Sequence, residues 1–284
     1  MAKMHANELD IDETLVRALV DTQFPEWAEL PLAVVEPWGT DNAIYRLGDD
    51  LAVRLPRLPG RDDVGEDEWA RRIAARLPFE VPVMVARGRP SARYPQAWSV
   101  MTWLHGETPV GGVLDAEELA LLVRSLQRLD LPDGPAPGAR RGEPLSVRDA
   151  AMRDALARVD APGALEVWER AVAAPEWTGK RVWLHADLDA RNVLVREGRL
   201  TGVIDWGCAG VGDPAVDVMA AWKLLDRAGR DRFRELLAVD DATWLRAEGW
   251  AASQAVIALG YYTPETNASL HAEATRWLAE VLPR

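Results

Sequence analysis

Over the first hundred residues apolar and polar positions alternate in short runs, the period of half-buried strands. LAVVE from Leu32, AIYRL from Ala43 and LAVRL from Leu51 are three such runs. Gly48, Asp49 and Asp50 separate the last two, which predicts a hairpin within an antiparallel sheet. Two further strands are predicted, VPVMV at 81–85 and AWSVMTW at 97–103. Helical spacing appears twice in this stretch. Asp12 is placed to cap a helix through about Gln23, with Leu15, Val16, Leu19 and Val20 on one face, and a second helix is predicted from Val64 to Leu77.

After Gly106 the pattern turns helical. A helix is predicted from Asp115 to Asp130, and the Pro/Gly-rich LPDGPAPG at 131–138 reads as the chain's one linker-like stretch. More helix is expected from Ser146 to Ala174, then a β-rich island from Val182 to Asp205, then four helical segments over 214–284. Inside the island NVLVREGRLTGVID predicts two short strands joined at Glu197-Gly198. The order predicts an α+β chain of two lobes without internal repeats. Residues 1–104 form a β-rich lobe, the chain crosses near 102–106, and residues 105–284 form a mainly helical lobe with an embedded hairpin.

Composition removes several function classes. The 284 residues suffice for two lobes with their own cores. A single cysteine, Cys208, excludes a disulfide framework and a multi-cysteine zinc site. The four histidines lack the spacing of a two-histidine metal ligand set. No apolar run is long enough to span a bilayer, and MAKMHANELDID lacks the apolar core of a signal peptide, so a cytoplasmic location is expected. The net charge of -12 opposes general attraction to a phosphate backbone, so no nucleic acid partner is expected, and without an apolar span no membrane partner is expected either. An anionic ligand would therefore need local cations or metal ions to hold it.

The chemistry concentrates in HADLDARN, His185 to Asn192, and VIDWG at 203–207. Asp187, Asn192 and Asp205 flank the apolar strands of the predicted hairpin. A hairpin brings its ends together, so Asn192 and Asp205 are expected to meet. An amide oxygen beside a carboxylate, with a second carboxylate five residues upstream, supplies hard oxygen ligands and a base suited to magnesium and a phosphorylated substrate. Either residue alone would be read as a loop stabiliser through local backbone hydrogen bonds. The spacing matches the kinase catalytic loop HxDxxxxN, in which a second Asp follows at the next strand turn.

The stretch LHADLDARNVLVREGRLTGVIDWGCAGVGDPAVDVMAAW, 184–222, resembles the signature of the aminoglycoside phosphotransferase family of small-molecule kinases, and the likeness extends into the N-terminal lobe. It implies a protein-kinase-like fold, with ATP or GTP as phosphate donor and Mg2+ as cofactor. By analogy Asp187 is the catalytic Asp that orients the acceptor hydroxyl and takes its proton, and Asn192 and Asp205 are the magnesium ligands. Ala186 stands where the family usually has Gly. Asp213 and Asp217, in GDPAVD, match positions that shape the following turn and helix.

The resemblance also assigns the nucleotide end. Arg54, on LAVRLP, stands where the family often has Lys, and Glu66 on the next helix would orient it, with Glu68 as the runner-up. Arg is a permanent cation with a wider fork, so phosphate binding is compatible with the change while its geometry differs. In WGTDNAIY the polar residues Thr40 and Asn42 accompany Gly39 in the loop that would cover the nucleotide. The segment VMTWLHGE, 100–107, resembles the connection between lobes, where backbone groups of Thr102 and Leu104 would meet the base edge.

The expected acceptor is a small hydroxylated molecule. Aminoglycosides, macrolides and other hydroxyl metabolites are candidates, and nothing resembles the activation segment of a protein kinase. Asp226, Asp231, Glu235, Asp240, Asp241, Glu248 and Glu265 in the late helices would favour a cationic acceptor, unless they form an ordinary solvated face. A nucleotide-binding module without turnover is the rival from another class, and a hydrolase using Asp187 and Asp205 as paired carboxylates is a third reading. The hydrolase leaves Asn192 and Arg54 unexplained.

Overall fold

The computed structural model describes residues 7–36, 41–60, 64–131 and 133–282; the side chains of 64–68 and 110 lie outside that description. It divides into two compact units, Met1–Ala75 with Glu80–His105, and Arg76–Phe79 with Gly106–Arg284.

The first unit is built on an antiparallel sheet of five strands. These are β1 (Leu32–Val34), β2 (Asn42–Leu47), β3 (Leu51–Pro56), β4 (Met84–Gly88) and β5 (Trp98–Thr102), in the order β1-β2-β3-β5-β4. Gly48 takes the left-handed conformation, φ 63°, that closes the β2–β3 hairpin. Helix α1 (Glu13–Gln23) starts where Asp12 accepts from the Leu15 N–H at 2.7 Å. Its Val16, Leu19 and Val20 pack on Tyr45, Leu47, Val53, Leu55 and Trp98 of the sheet, the core that the alternating pattern encoded. A buried pair, Arg57 Nη2 to Glu8 at 2.8 Å, ties the N-terminal segment to the end of β3. Helix α2 (Val64–Ala74) stops three residues before the expected Leu77. Leu77 precedes Pro78, and the residue before a proline is disfavoured in helix. β4 occupies 84–88 rather than 81–85, because Pro82 has no N–H to give a ladder.

The second unit is mainly helical. Helix α3 (Ala116–Gln127) is capped by Asp115. The continuous helix expected from Ser146 to Ala174 is instead two, α4 (Asp149–Leu156) and α5 (Ala164–Val172). Pro162 and Gly163, the latter at φ 87°, interrupt it. Five helices follow residue 214 where four were expected: α6 (Ala215–Val218), α7 (Ala220–Leu224), α8 (Arg227–Leu237), α9 (Asp241–Tyr261) and α10 (Pro264–Val281). Helix α9 is apolar around much of its circumference and packs against α4, α5, α6 and α10, so it is the centre of this unit.

Two small sheets carry the functional loops. Strand β6 (Val182–Leu184) pairs with β9 (Gly210–Gly212), a strand the sequence pattern did not reveal. Strands β7 (Val193–Arg196) and β8 (Arg199–Val203) form the expected hairpin. Its turn residues Glu197 and Gly198 both have positive φ, 52° and 77°, as a two-residue hairpin loop of matching twist requires. Glu118, buried on α3, accepts from the Leu200 N–H at 2.9 Å and the Arg199 side chain at 2.7 Å, which moors the hairpin to the helical layer. Glu107 and Val195 exchange backbone hydrogen bonds of 2.9 and 2.8 Å and hold its other edge.

The stretch at 131–138 is no linker. The Val211 N–H donates to Pro135 O at 2.8 Å and the Gly138 N–H to Cys208 O at 3.0 Å, so this segment lies on β9 and the turn before it. Its prolines and glycines allow close approach. A Cβ at Gly210 would sit 2.5 Å from Pro135 O.

Gly88 faces Trp98 across the β4–β5 pair, and a Cβ there would lie 1.9 Å from the indole ring. Gly88→Ala is expected to destabilise the protein by about 2–3 kcal/mol, read as a lower urea midpoint. An unchanged midpoint would show that the ring can retreat.

Candidate active site

The loop between β6 and β7 carries His185, Ala186, Asp187 and Asn192, and its backbone is irregular, so its N–H groups need partners outside regular structure. Asp217 on α6 supplies them. Its fully buried carboxylate accepts from the His185 N–H at 2.8 Å and the Ala186 N–H at 2.7 Å. Burial pushes the Asp217 carboxyl up from its ordinary range, and these two amides pull against that shift. Ala186 is buried at φ 65°, a left-handed conformation that costs a non-glycine residue about 1–2 kcal/mol. The glycine usual at this position would adopt it without strain. His185 bridges the two ends of the hairpin loop: its Nε2 lies 3.0 Å from Ile204 O, and its Nδ1 accepts from the Asp187 N–H at 3.3 Å. The ring meets Trp206 edge to face.

Asp187 is a quarter exposed. Burial would push its carboxyl up, but the cations of Arg141 and Lys223 outweigh burial and hold it at about 2. Arg141 Nη1 lies 2.7 Å from Asp187 Oδ1 and also donates to Ala186 O. Sequence reasoning missed Arg141, because it follows a stretch that read as linker and no spacing relates it to the catalytic loop.

The fully buried Lys223 of α7 donates to Leu188 O at 3.2 Å and stands 4.2 Å from the centre of the Trp277 ring. Asp189, 1% exposed, accepts from the Arg191 backbone at 2.9 Å and from its guanidinium at 2.6 Å.

Asn192 is buried, and its Nδ2 donates to Asp187 O at 2.9 Å, which leaves its amide oxygen as the atom suited to a cation. Its carbonyl accepts from the Ile204 N–H at 2.9 Å, so the hairpin register brings Asn192 beside the residue that precedes Asp205. Asp205 is exposed at φ 63°, a left-handed turn that ends β8. No group of three or more His, Cys, Asp or Glu suited to a metal occurs among the described residues. An amide and a carboxylate do fit magnesium, which takes one or two protein oxygens and completes its shell with water and phosphate.

In the first unit, Arg54 and Asn42 are brought together across β2 and β3. With its amide oxygen toward the guanidinium, Asn42 accepts from Arg54 Nε and Nη2 at 3.0 Å each. Thr102 is committed to the sheet: its N–H donates to Val83 O at 2.9 Å and its hydroxyl accepts from the Val83 N–H at 3.0 Å. Of its backbone groups the N–H is thus used within the sheet. No hydrogen bond among the described residues uses the backbone of Leu104. Glu66 falls on α2, but its side chain, like Thr40 and Gly39, lies outside the described residues.

The acidic residues of the late helices are largely spent on structure. Asp226 and Asp240 cap α8 and α9, accepting from Gly229 N at 2.8 Å and Thr243 N at 2.9 Å. Asp241 pairs with Arg234, Glu248 with Arg170 at 2.7 Å, and Glu235 lies 3.8 Å from Arg232.

Asp217→Asn leaves one acceptor oxygen for two buried N–H groups. It is expected to cost about 2 kcal/mol or more and to lower turnover, checked by urea unfolding alongside an activity assay. A variant as stable as the parent would mean that the loop is held by other contacts.

Residues 35–253 match the model of the phosphotransferase enzyme family. An aminoglycoside 3'-phosphotransferase of Escherichia coli is 27% identical over 211 residues, covering 65% of this chain and 73% of the relative. Among solved structures, the macrolide 2'-phosphotransferase MphH from Brachybacterium faecium superposes with a TM-score of 0.62 at 22% identity, over 96% of this chain and 99% of that one. The GDP and kanamycin complex of APH(2'')-IIia superposes with a TM-score of 0.69 at 18% identity, over 94% and 97%. At these identities the structural likeness carries the fold, an α+β kinase-like architecture. The family model spans more than half of the sequence and includes the β6–β7 loop and both hairpin ends, so the chain belongs to the phosphotransferase enzyme family.

Proposed function

We propose that the protein transfers the γ-phosphate of a nucleoside triphosphate to a hydroxyl of a small molecule, with Asp187 as the base. The observation that carries this is the state of Asp187, an ionised and partly exposed carboxylate on a loop fixed by Asp217. The acceptor O–H gives its proton to Asp187, the oxygen attacks the γ-phosphorus, and the bond from that phosphorus to the β-bridging oxygen breaks to release the nucleoside diphosphate. Such a transfer depends mainly on positioning and charge, so few side chains suffice. A carboxyl held at about 2 is a weak base. Its main work is to orient the hydroxyl and accept the proton as the P–O bond forms.

Asn192 and Asp205 would hold magnesium, and the ion when bound supplies charge to offset the phosphate oxygens. Arg54, set by Asn42, would meet the nucleotide phosphates, with Glu66 and Thr40 completing that end and backbone groups of Thr102 and Leu104 meeting the base. Arg54 is held across its Nε–Nη2 edge, which fixes the fork in a way a lysine could not be fixed. The names of the relatives point to an aminoglycoside or a macrolide as acceptor.

Asp187→Asn should lower turnover about 10²-fold or more with nucleotide affinity little changed, measured with ATP and GTP against a panel of aminoglycosides and macrolides. Near-parental turnover, where chemistry limits the rate, would remove Asp187 as the base. Asp205→Ala should abolish magnesium-dependent nucleotide binding in calorimetric titration, since Asn192 alone is a neutral ligand for a hard cation. Unchanged affinity and stoichiometry would move the metal site elsewhere.

A further inference from the structure

We propose that Arg141 is a positioning residue for Asp187: its guanidinium, set between the Asp187 carboxylate and Ala186 O, holds that carboxylate where an acceptor hydroxyl can reach it. The inference rests on Asp187 being the base. Arg141 Nη1 lies 2.7 Å from Asp187 Oδ1 and also donates to Ala186 O, so one guanidinium meets both the carboxylate and the backbone just before it. The Asp187 side chain is 25% exposed while that of Arg141 is 15% exposed. The contact therefore restrains the carboxylate without closing it to a ligand.

The other cations nearby are committed elsewhere, Arg191 to Asp189 and Lys223 to Leu188 O and the Trp277 ring. They add charge but do not orient the carboxylate. Arg141 Nε is buried without a partner. That is an expense stability alone would not select, since an unsatisfied buried donor weakens the fold. The approach of Arg141 is also prepared by its backbone. Ala139 and Arg140 are successive non-glycine residues at φ 51° and 59°, a turn rarely adopted by such residues, and it follows the Gly138 contact to Cys208. The segment at 135–141 thus joins the metal-motif turn, residues 207–211, to the catalytic carboxylate through one guanidinium.

The test is a double-mutant cycle in turnover on the full chain: parent, Arg141→Gln, Asp187→Asn and the double variant, with Arg141→Lys as the conservative change. Arg141→Gln should lower kcat about 10- to 100-fold while KM for nucleotide and acceptor moves less than about threefold. Arg141→Lys should regain part of that loss. In the Asp187→Asn background the same Arg141→Gln change should cost less than about threefold, because there is no carboxylate left to orient. Equal fold-losses in both backgrounds, a loss confined to KM, or parental kcat in Arg141→Gln would overturn the proposal. Should Arg141→Gln fail to fold with Asp187 left unpaired, the double variant removes both charges. Its kcat against that of Asp187→Asn alone, with the lysine variant, then decides the matter. Near-parental turnover of Asp187→Asn would instead sink the base assignment itself.

Discussion

The backbone N–H groups of His185 and Ala186 converge on the two oxygens of Asp217, a carboxylate with no exposure to water, and the geometry of the β6–β7 loop follows from that anchor. An irregular loop inside a helical unit has no ladder or helix to satisfy its donors, and an unsatisfied buried amide costs about 1–3 kcal/mol. With the amides held, Ala186 is forced to φ 65°, His185 spans to Ile204 O, and Asp187 is turned out far enough to keep a quarter of its side chain in solvent. The anchor sits on α6, a helix of four residues, in contact with the long buried α9, so the rigidity of the loop derives from the centre of the second unit.

Around that loop the charges are balanced in place. Asp187, Asp189, Arg141, Arg191 and Lys223 form a set in which each ion has a partner of opposite sign or a ring face. Removing one partner of a buried pair is far more costly than the pair's net contribution to stability. Burial pushes Lys223 down from its ordinary range, and the carboxylates of Asp189 and Asp187 hold it back toward the charged form. Such a set contributes less to stability than an apolar core of the same volume would. What it does is keep the partly exposed Asp187 carboxylate ionised.

The first unit solves a different problem, that of presenting a cation from a flat strand. Arg54 is on β3 with its partner Asn42 displaced along β2, and the amide takes the Nε–Nη2 edge of the guanidinium. A lysine at the same point would be a mobile point charge; an arginine held by its edge is a directed one.

The alternation of apolar residues was enough to place the β2–β3 hairpin, α1 and the β7–β8 hairpin, because each depends on local periodicity and on turn residues such as Gly48 and Gly198. The spacing of Asp187, Asn192 and Asp205 was likewise legible, since a hairpin fixes the separation of its own ends and the motif lies within twenty residues of sequence. Strand β9 was not legible, because a three-residue run of two glycines and a valine has no period and becomes a strand only by pairing with β6. Nor was the role of 131–141, whose prolines and glycines serve equally in a free connection and in a segment that must approach another backbone closely. Arg141 belongs to that segment, 46 positions before the carboxylate it holds by their numbering. The partners of the acidic residues in the late helices were not legible either, because only the fold decides which carboxylates cap helices or meet an arginine. Contacts of local periodicity are written in the chain; the pairing of charges distant along it is a property of the folded structure alone.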